Sequence, residues 1–165
     1  MWFAWWNTLL HSVKKHMHKY NFALSLLKTV GNALTGRLHF PRNRVGKEFE
    51  IGTEKWIIFR EAIVDRRKGQ PERPGAVFIP RFHVANMSLR QNMIFSLLPM
   101  CLILGLPGFR SKLWLYNPAN DDSAGYYEWD TIEDANNYSQ SQAMRFMSNR
   151  SVPGTVSFKV IPVRD

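Results

Sequence analysis

The amino-acid sequence predicts an α+β fold for residues 76–165, with strands and helices in the order β-α-β-β-α-β. Three observations carry that expectation. Four short runs rich in aromatic and β-branched residues show period-two alternation. Two runs with helical spacing follow the first and the third of them. Gly105-Leu106-Pro107-Gly108, the polar loop 117–122 and Pro153-Gly154 supply turns between elements.

The first strand is expected over 76–84. A helix follows over 88–104, disturbed at Pro99, because proline removes an N–H donor and clashes with the preceding turn. The second strand covers 109–116 and the third 124–130. Thr131 then caps a helix with Glu133 and Asp134 in its first turn, where the dipole favours acids. That helix runs to about residue 147, and the last strand covers 155–163. The order implies an antiparallel sheet with both helices on one face, the ferredoxin-like arrangement.

Two further parts precede this domain. Residues 1–36 read as a basic amphipathic helix. Trp2, Trp6, Leu9, Val13, Met17, Tyr20, Leu24, Leu27 and Leu34 follow three- and four-residue steps, within a stripe roughly 100° wide. Lys14, Lys15, Lys19, His11 and His18 lie off the stripe, and Gly36 is a natural stop. The segment lacks the basic start and cleavage site of a signal peptide. Lys14 and Lys15 interrupt it too early for a membrane span. Trp2, Trp5 and Trp6 beside Lys14, Lys15 and Lys19 suit a helix lying among lipid headgroups. A helix docked on its own domain or on a partner protein would show the same stripe, so both readings stay open. Residues 37–75 form a basic connector, a short hairpin extension around Gly52-Thr53, and a linker over 66–75.

Charge follows the same division. Residues 1–75 hold 14 Lys/Arg against 6 Asp/Glu, and residues 76–165 hold 8 against 7. The first acid is Glu48. A polyanionic surface is the natural partner for such an arm. Cys101 is the sole cysteine, so no internal disulfide forms, in keeping with a reducing compartment. The expected location is cytoplasmic, peripheral on the inner face of a membrane.

Strand alternation sorts the domain's side chains onto two faces. Phe78, Pro80, Phe82, Leu113, Leu115, Tyr127, Trp129, Val156, Phe158 and Val160 form an apolar face for the helices. The other face collects Arg81, His83, Lys112, Trp114, Tyr126, Glu128, Ser157 and Lys159. Aromatic walls with a few polar groups resemble a ligand pocket closed by a lid or second subunit. The competing reading is a solvated face with cross-strand ion pairs such as Lys112–Glu128.

There is no Gly-rich phosphate loop, GxSxG elbow, CxxC or HExxH motif, so no metal and no cofactor are expected. The chemistry on offer is His83 as acid/base, Tyr126 as hydrogen-bond donor, and Arg81 or Lys112 stabilising an oxyanion or enolate. Lys112, Trp114, Glu128, Ser157 and Lys159 would line the substrate site. The apolar helix and N-terminal stripe favour a hydrophobic small molecule.

Three stretches carry a family resemblance. They are Gly105-Leu-Pro-Gly-Phe-Arg-Ser-Lys-Leu-Trp114, Ser123-Ala-Gly-Tyr-Tyr-Glu-Trp-Asp130 and Thr131-Ile-Glu-Asp-Ala-Asn-Asn-Tyr138. From Gly75 onward the chain resembles the small mono-oxygenase-like proteins of the dimeric α+β barrel superfamily, related to antibiotic-biosynthesis mono-oxygenases. The resemblance implies a homodimer with two sheets packed face to face, closing a pocket against each. It transfers no catalytic residue set, and the long basic N-terminal part departs from the minimal pattern.

Two functions follow as expectations. One is a membrane-associated mono-oxygenase-like or cyclase-like enzyme acting on a hydrophobic small molecule. The other is a non-catalytic accessory or ligand-carrying subunit of a membrane complex. RNA binding shares the element order, and Gly125-Tyr126-Tyr127 faintly matches its third-strand signature. Glu128 and the domain's near-neutral charge argue against a nucleic-acid partner.

Overall fold

The computed structural model describes residues 22–163. Helix α1 (Phe22–Leu34) leads into β1 (Leu38–His39) and the hairpin β2 (Glu48–Ile51) and β3 (Glu54–Val64). Then come β4 (Ala76–Phe82), α2 (Leu89–Phe95), α3 (Leu97–Ile103), β5 (Phe109–Tyr116) and β6 (Ser123–Trp129). Helices α4 (Ile132–Ser139) and α5 (Gln142–Asn149) and strand β7 (Ser157–Pro162) complete the chain.

All strand pairs are antiparallel, in the order β1-β3-β5-β6-β4-β7, with β2 also on β3. The four strands β5-β6-β4-β7 are the ferredoxin-like core the sequence predicts. The hairpin adds β3 beside β5, so the extension shares the domain's sheet.

Each expected long helix is two short ones. Pro99 has no N–H to offer the carbonyl of Phe95, and the chain breaks between Phe95 and Leu97. Ser88 and Gln91 form a capping box ahead of α2. In the second case Ser141 accepts a bond from the Met144 N–H and starts α5 as a new helix. Thr131 caps α4 as expected, accepting from the Asp134 N–H.

The main core lies between sheet and helices. Phe78 meets Tyr138 edge-on at 5.0 Å and Tyr127 at 5.8 Å, and Trp129 tilts against Tyr138 at 5.1 Å. A second, smaller core of Trp56, Ile58, Leu113, Leu115 and Ala124 occupies the opposite face. Helix α1 crosses α3 closely. The Ser25 hydroxyl donates to the Leu102 carbonyl, and the Thr29 hydroxyl donates to that of Cys101 at 2.7 Å. A Cβ on Gly105 would sit 1.8 Å from the Ser25 carbonyl oxygen, so only glycine permits this crossing.

Candidate functional site

The faces of β4, β6 and β7 match the alternation. Those of β5 do not. Phe109 pairs with Trp129 and Ser111 with Glu128, so Arg110 is an extra residue in a bulge. Arg110 turns instead toward the linker, donating to the carbonyls of Pro71 and Arg73 and to Asp130. One extra residue reverses every side chain beyond it. Leu113 and Leu115 therefore join the second core, and Lys112 and Trp114 pass beneath the helices. This corrects the assignment of Lys112 and Trp114 to the polar face, and with it the proposed Lys112–Glu128 pair.

The remaining predicted residues stay on the opposite face, where the hairpin curls over the sheet. Arg81 forms an ion pair with Glu54 and lies over the Trp56 ring at 4.9 Å. Tyr126 meets Phe49 edge-on at 5.1 Å. Burial, with Glu128 adding to it, raises the Tyr126 phenol's pKa. Glu128 accepts from the Ser111 hydroxyl at 2.7 Å. His83 Nδ1 lies 2.9 Å from Asp122 at the strand's end. Ser157 and Lys159 are exposed on β7. Trp2, Trp5, Trp6, Lys14, Lys15 and Lys19 fall outside the described residues.

A cleft opens on the other side, between the sheet and helices α2, α3 and α5. Its mouth is open to solvent, and the free space within is narrow, about 50 Å³. Lys112, Trp114 and Tyr127 form its floor, and Phe59, Phe95 and Phe146 its walls. Among the described residues no carboxylate lines it. Gly125 lies opposite Trp114 across the strand pair, and a Cβ there would stand 2.3 Å from the Tyr127 ring. Glycine at this position thus lets Tyr127 lie flat along the floor.

Lys112 is the unusual member. It is only 3% exposed, with Nζ 4.2 Å from the centroids of both the Trp114 and Tyr127 rings. Among the described residues it makes no ion pair and no hydrogen bond. Burial in this apolar site, with Arg60 nearby, holds its pKa well below the ordinary lysine value. Arg60 donates to the Ser96 hydroxyl at 2.7 Å and the Met93 carbonyl at 2.9 Å, and its guanidinium lies 5.6 Å from the Trp114 centroid. At the rim, Arg150 stacks 3.5 Å over Phe95, which is itself stacked on Phe146 at 6.3 Å. Asn92 donates to Ser123 at 2.7 Å. Among the described residues, no group of three or more His, Cys, Asp or Glu side chains converges to hold a metal ion.

Sequence reasoning missed Arg60, Phe95, Phe146 and Arg150. Arg60 carries a signal: with Glu61 it interrupts the apolar run from Trp56 to Val64, and charges inside such a run need partners. The others lie on helices whose break points decide which way they face.

The sheet order and the helices on one face give a ferredoxin-like α+β fold. No protein-family model matches the chain, and no curated protein matches its sequence. Solved structures that share the fold include two from Listeria monocytogenes, both at 10% identity. A heme-degrading enzyme aligns over 70% of this chain and 74% of its own, with a TM-score of 0.52. An uncharacterised ferredoxin-fold protein related to antibiotic-biosynthesis mono-oxygenases aligns over 71% and 70%, also with a TM-score of 0.52.

Proposed function

We propose that the chain is a membrane-associated mono-oxygenase-like or cyclase-like enzyme that takes a hydrophobic small molecule into the cleft beneath its helices. The observation that carries this reading is the floor of Lys112, Trp114 and Tyr127, an aromatic surface with a single unpaired amine. Apolar walls with one or two placed polar groups are what a ligand site requires. The amine and the nearby Arg60 would meet an oxygen on which negative charge develops. The narrow interior must widen to admit a ligand. Helix α2 has no buried residue, so it is the part best able to yield. His83, Tyr126 and Arg81 serve the hairpin-covered face in this reading.

Membrane association rests on α1. Its polar Ser25, Thr29 and Asn32 face the domain, and Leu27 and Leu34 point outward at 69% and 83% exposure. No helix among the described residues is long and apolar enough to cross a membrane. Peripheral attachment to an anionic inner leaflet fits the basic excess of the first 75 residues. We further propose a homodimer. Strand β7 pairs only with β4 among the described strands, and Phe158 and Ile161 beside its outer edge are exposed.

The test is turnover. Purified full-length protein is incubated with a panel of apolar phenols and ketones, following oxygen uptake and product mass. Trp114→Ala and Lys112→Met should abolish any conversion found, and His83→Ala and Tyr126→Phe should leave it nearly intact. The opposite pattern in folded variants would move the site to the other face of the sheet.

A further inference from the structure

Resting on the cleft reading above, we propose that Lys112 is a carbonyl-capturing amine that joins an aldehyde or ketone group of an apolar ligand as an imine. The geometry defines the substrate class. The amine on the floor lies between two aromatic rings at 4.2 Å from the centroid of each. A flat, conjugated carbonyl compound could lie against those rings with its carbonyl carbon at Nζ. The apolar side chains around it, Phe59, Phe82 and Met147, disfavour a freely charged ligand tail.

Three features separate this lysine from a structural one. Among the described residues no carboxylate neutralises it, so its charge is not part of a buried ion pair there. The charge that acts on it is the cationic Arg60, which opposes protonation. It also lines the cleft, so widening of that narrow space would bring a reagent to it. An amine kept neutral in an apolar pocket is the condition under which lysine acts as a nucleophile.

The step balances without an oxidant. The Nζ lone pair adds to the carbonyl carbon, and the C=O π pair moves to oxygen. A proton passes from nitrogen to that oxygen, giving a carbinolamine. The hydroxyl then leaves as water, taking a second proton, and a C=N bond remains. The imine can draw electrons from the adjacent carbon, which would ease removal of a proton there.

Cinnamaldehyde is a suitable probe, with cinnamyl alcohol as its unreactive counterpart. Full-length protein is mixed with the aldehyde and sodium cyanoborohydride at neutral pH, then digested and mapped by mass spectrometry. An exposed lysine is neutral in only about one molecule in a few thousand at that pH. Lys112 should therefore label at least ~10-fold faster than the exposed lysines, although it is the better buried. Labelling that follows exposure, with Lys112 last, would overturn the proposal. Binding of the alcohol is measured separately, as fluorescence quenching present in the wild type and absent in Trp114→Phe. Quenching by the alcohol without adduct at Lys112 removes the imine and leaves the cleft as a binding site. No quenching and no adduct removes both. Lys112→Met should lose the fast adduct while keeping the wild-type circular dichroism, and cinnamyl alcohol should still quench it.

Discussion

The two faces of one sheet are closed in opposite ways. On the hairpin side, several charged groups have a partner within the chain: Arg81 with Glu54, Arg44 with Glu61 at 3.1 Å, and Glu128 with Ser111, although Glu61 Oε2 and Trp56 Nε1 are buried without a hydrogen bond among the described residues. On the helix side, Lys112 has rings and no acid. Paired charges hold a structure in place, and a buried amine without an acid beside it is kept at a cost. In the proposed reading, the difference separates a face that stabilises from a face that binds.

The largest effect expected from breaking the comparison is on the stabilising face. Trp56 is fully buried and anchors the hairpin against Arg81 and Ile58. Trp56→Ala should cost about 3–5 kcal/mol, read as a lowered denaturation midpoint. A loss below about 1 kcal/mol would mean that the hairpin is not part of the cooperative fold.

The helix side should respond with the opposite sign. Lys112→Met replaces an unpaired amine with an apolar chain of similar length and should stabilise by about 1–3 kcal/mol. The gain depends on pH. Between the lowered folded pKa and the ordinary value of 10.5, the unfolded chain binds a proton that the folded chain does not. Stability of the wild type is thus highest above about 10.5 and falls as pH drops toward the folded value. The advantage of Lys112→Met should widen as pH is lowered through that window and then level off. A pH-independent gap would mean that Lys112 titrates normally in the fold.

Much of this contrast was legible in the sequence, and the missing part has one physical origin. The strand order, the Thr131 cap and the Gly36 stop follow from local chemistry that acts over a few residues. Gly36 indeed takes φ +67° at the end of α1. The alternation also placed Tyr126, Tyr127 and Glu128 correctly. It failed on β5, where the bulge at Arg110 is set by distant groups: the linker carbonyls of Pro71 and Arg73, and Asp130. Nothing in the local run Phe109-Arg110-Ser111-Lys112 announces an extra residue. The failure therefore fell on Lys112 and Trp114, and it moved the aromatic floor from one side of the sheet to the other.

A smaller effect sharpens the comparison at a partly exposed pair. Arg81→Ala removes the Glu54 ion pair and the contact over Trp56. Both partners of the ion pair reach solvent, which screens it, so the loss should be about 0.5–1.5 kcal/mol. Turnover should stay close to wild type. A collapse of turnover with an unchanged melting curve would return catalysis to the hairpin side.

The smallest effect on stability should accompany a large one on location. The helix side turns apolar residues outward as well as inward: Leu27 and Leu34 on α1, and Ile94 and Leu98 on α2 and α3. Thr29 ties α1 to Cys101, one turn beyond Leu97 and Leu98, so these residues sit on neighbouring helices. Leu27→Glu adds a charge at a site that touches little of the domain and should change stability by no more than about 0.5 kcal/mol. If α1 lies in a lipid interface, the same change forces a carboxylate toward the hydrocarbon of an anionic bilayer. Flotation with phosphatidylserine vesicles should then fall severalfold relative to wild type, and the wild type should itself detach as salt is raised. Equal flotation of the two proteins would show that the outward stripe of α1 is not what meets lipid.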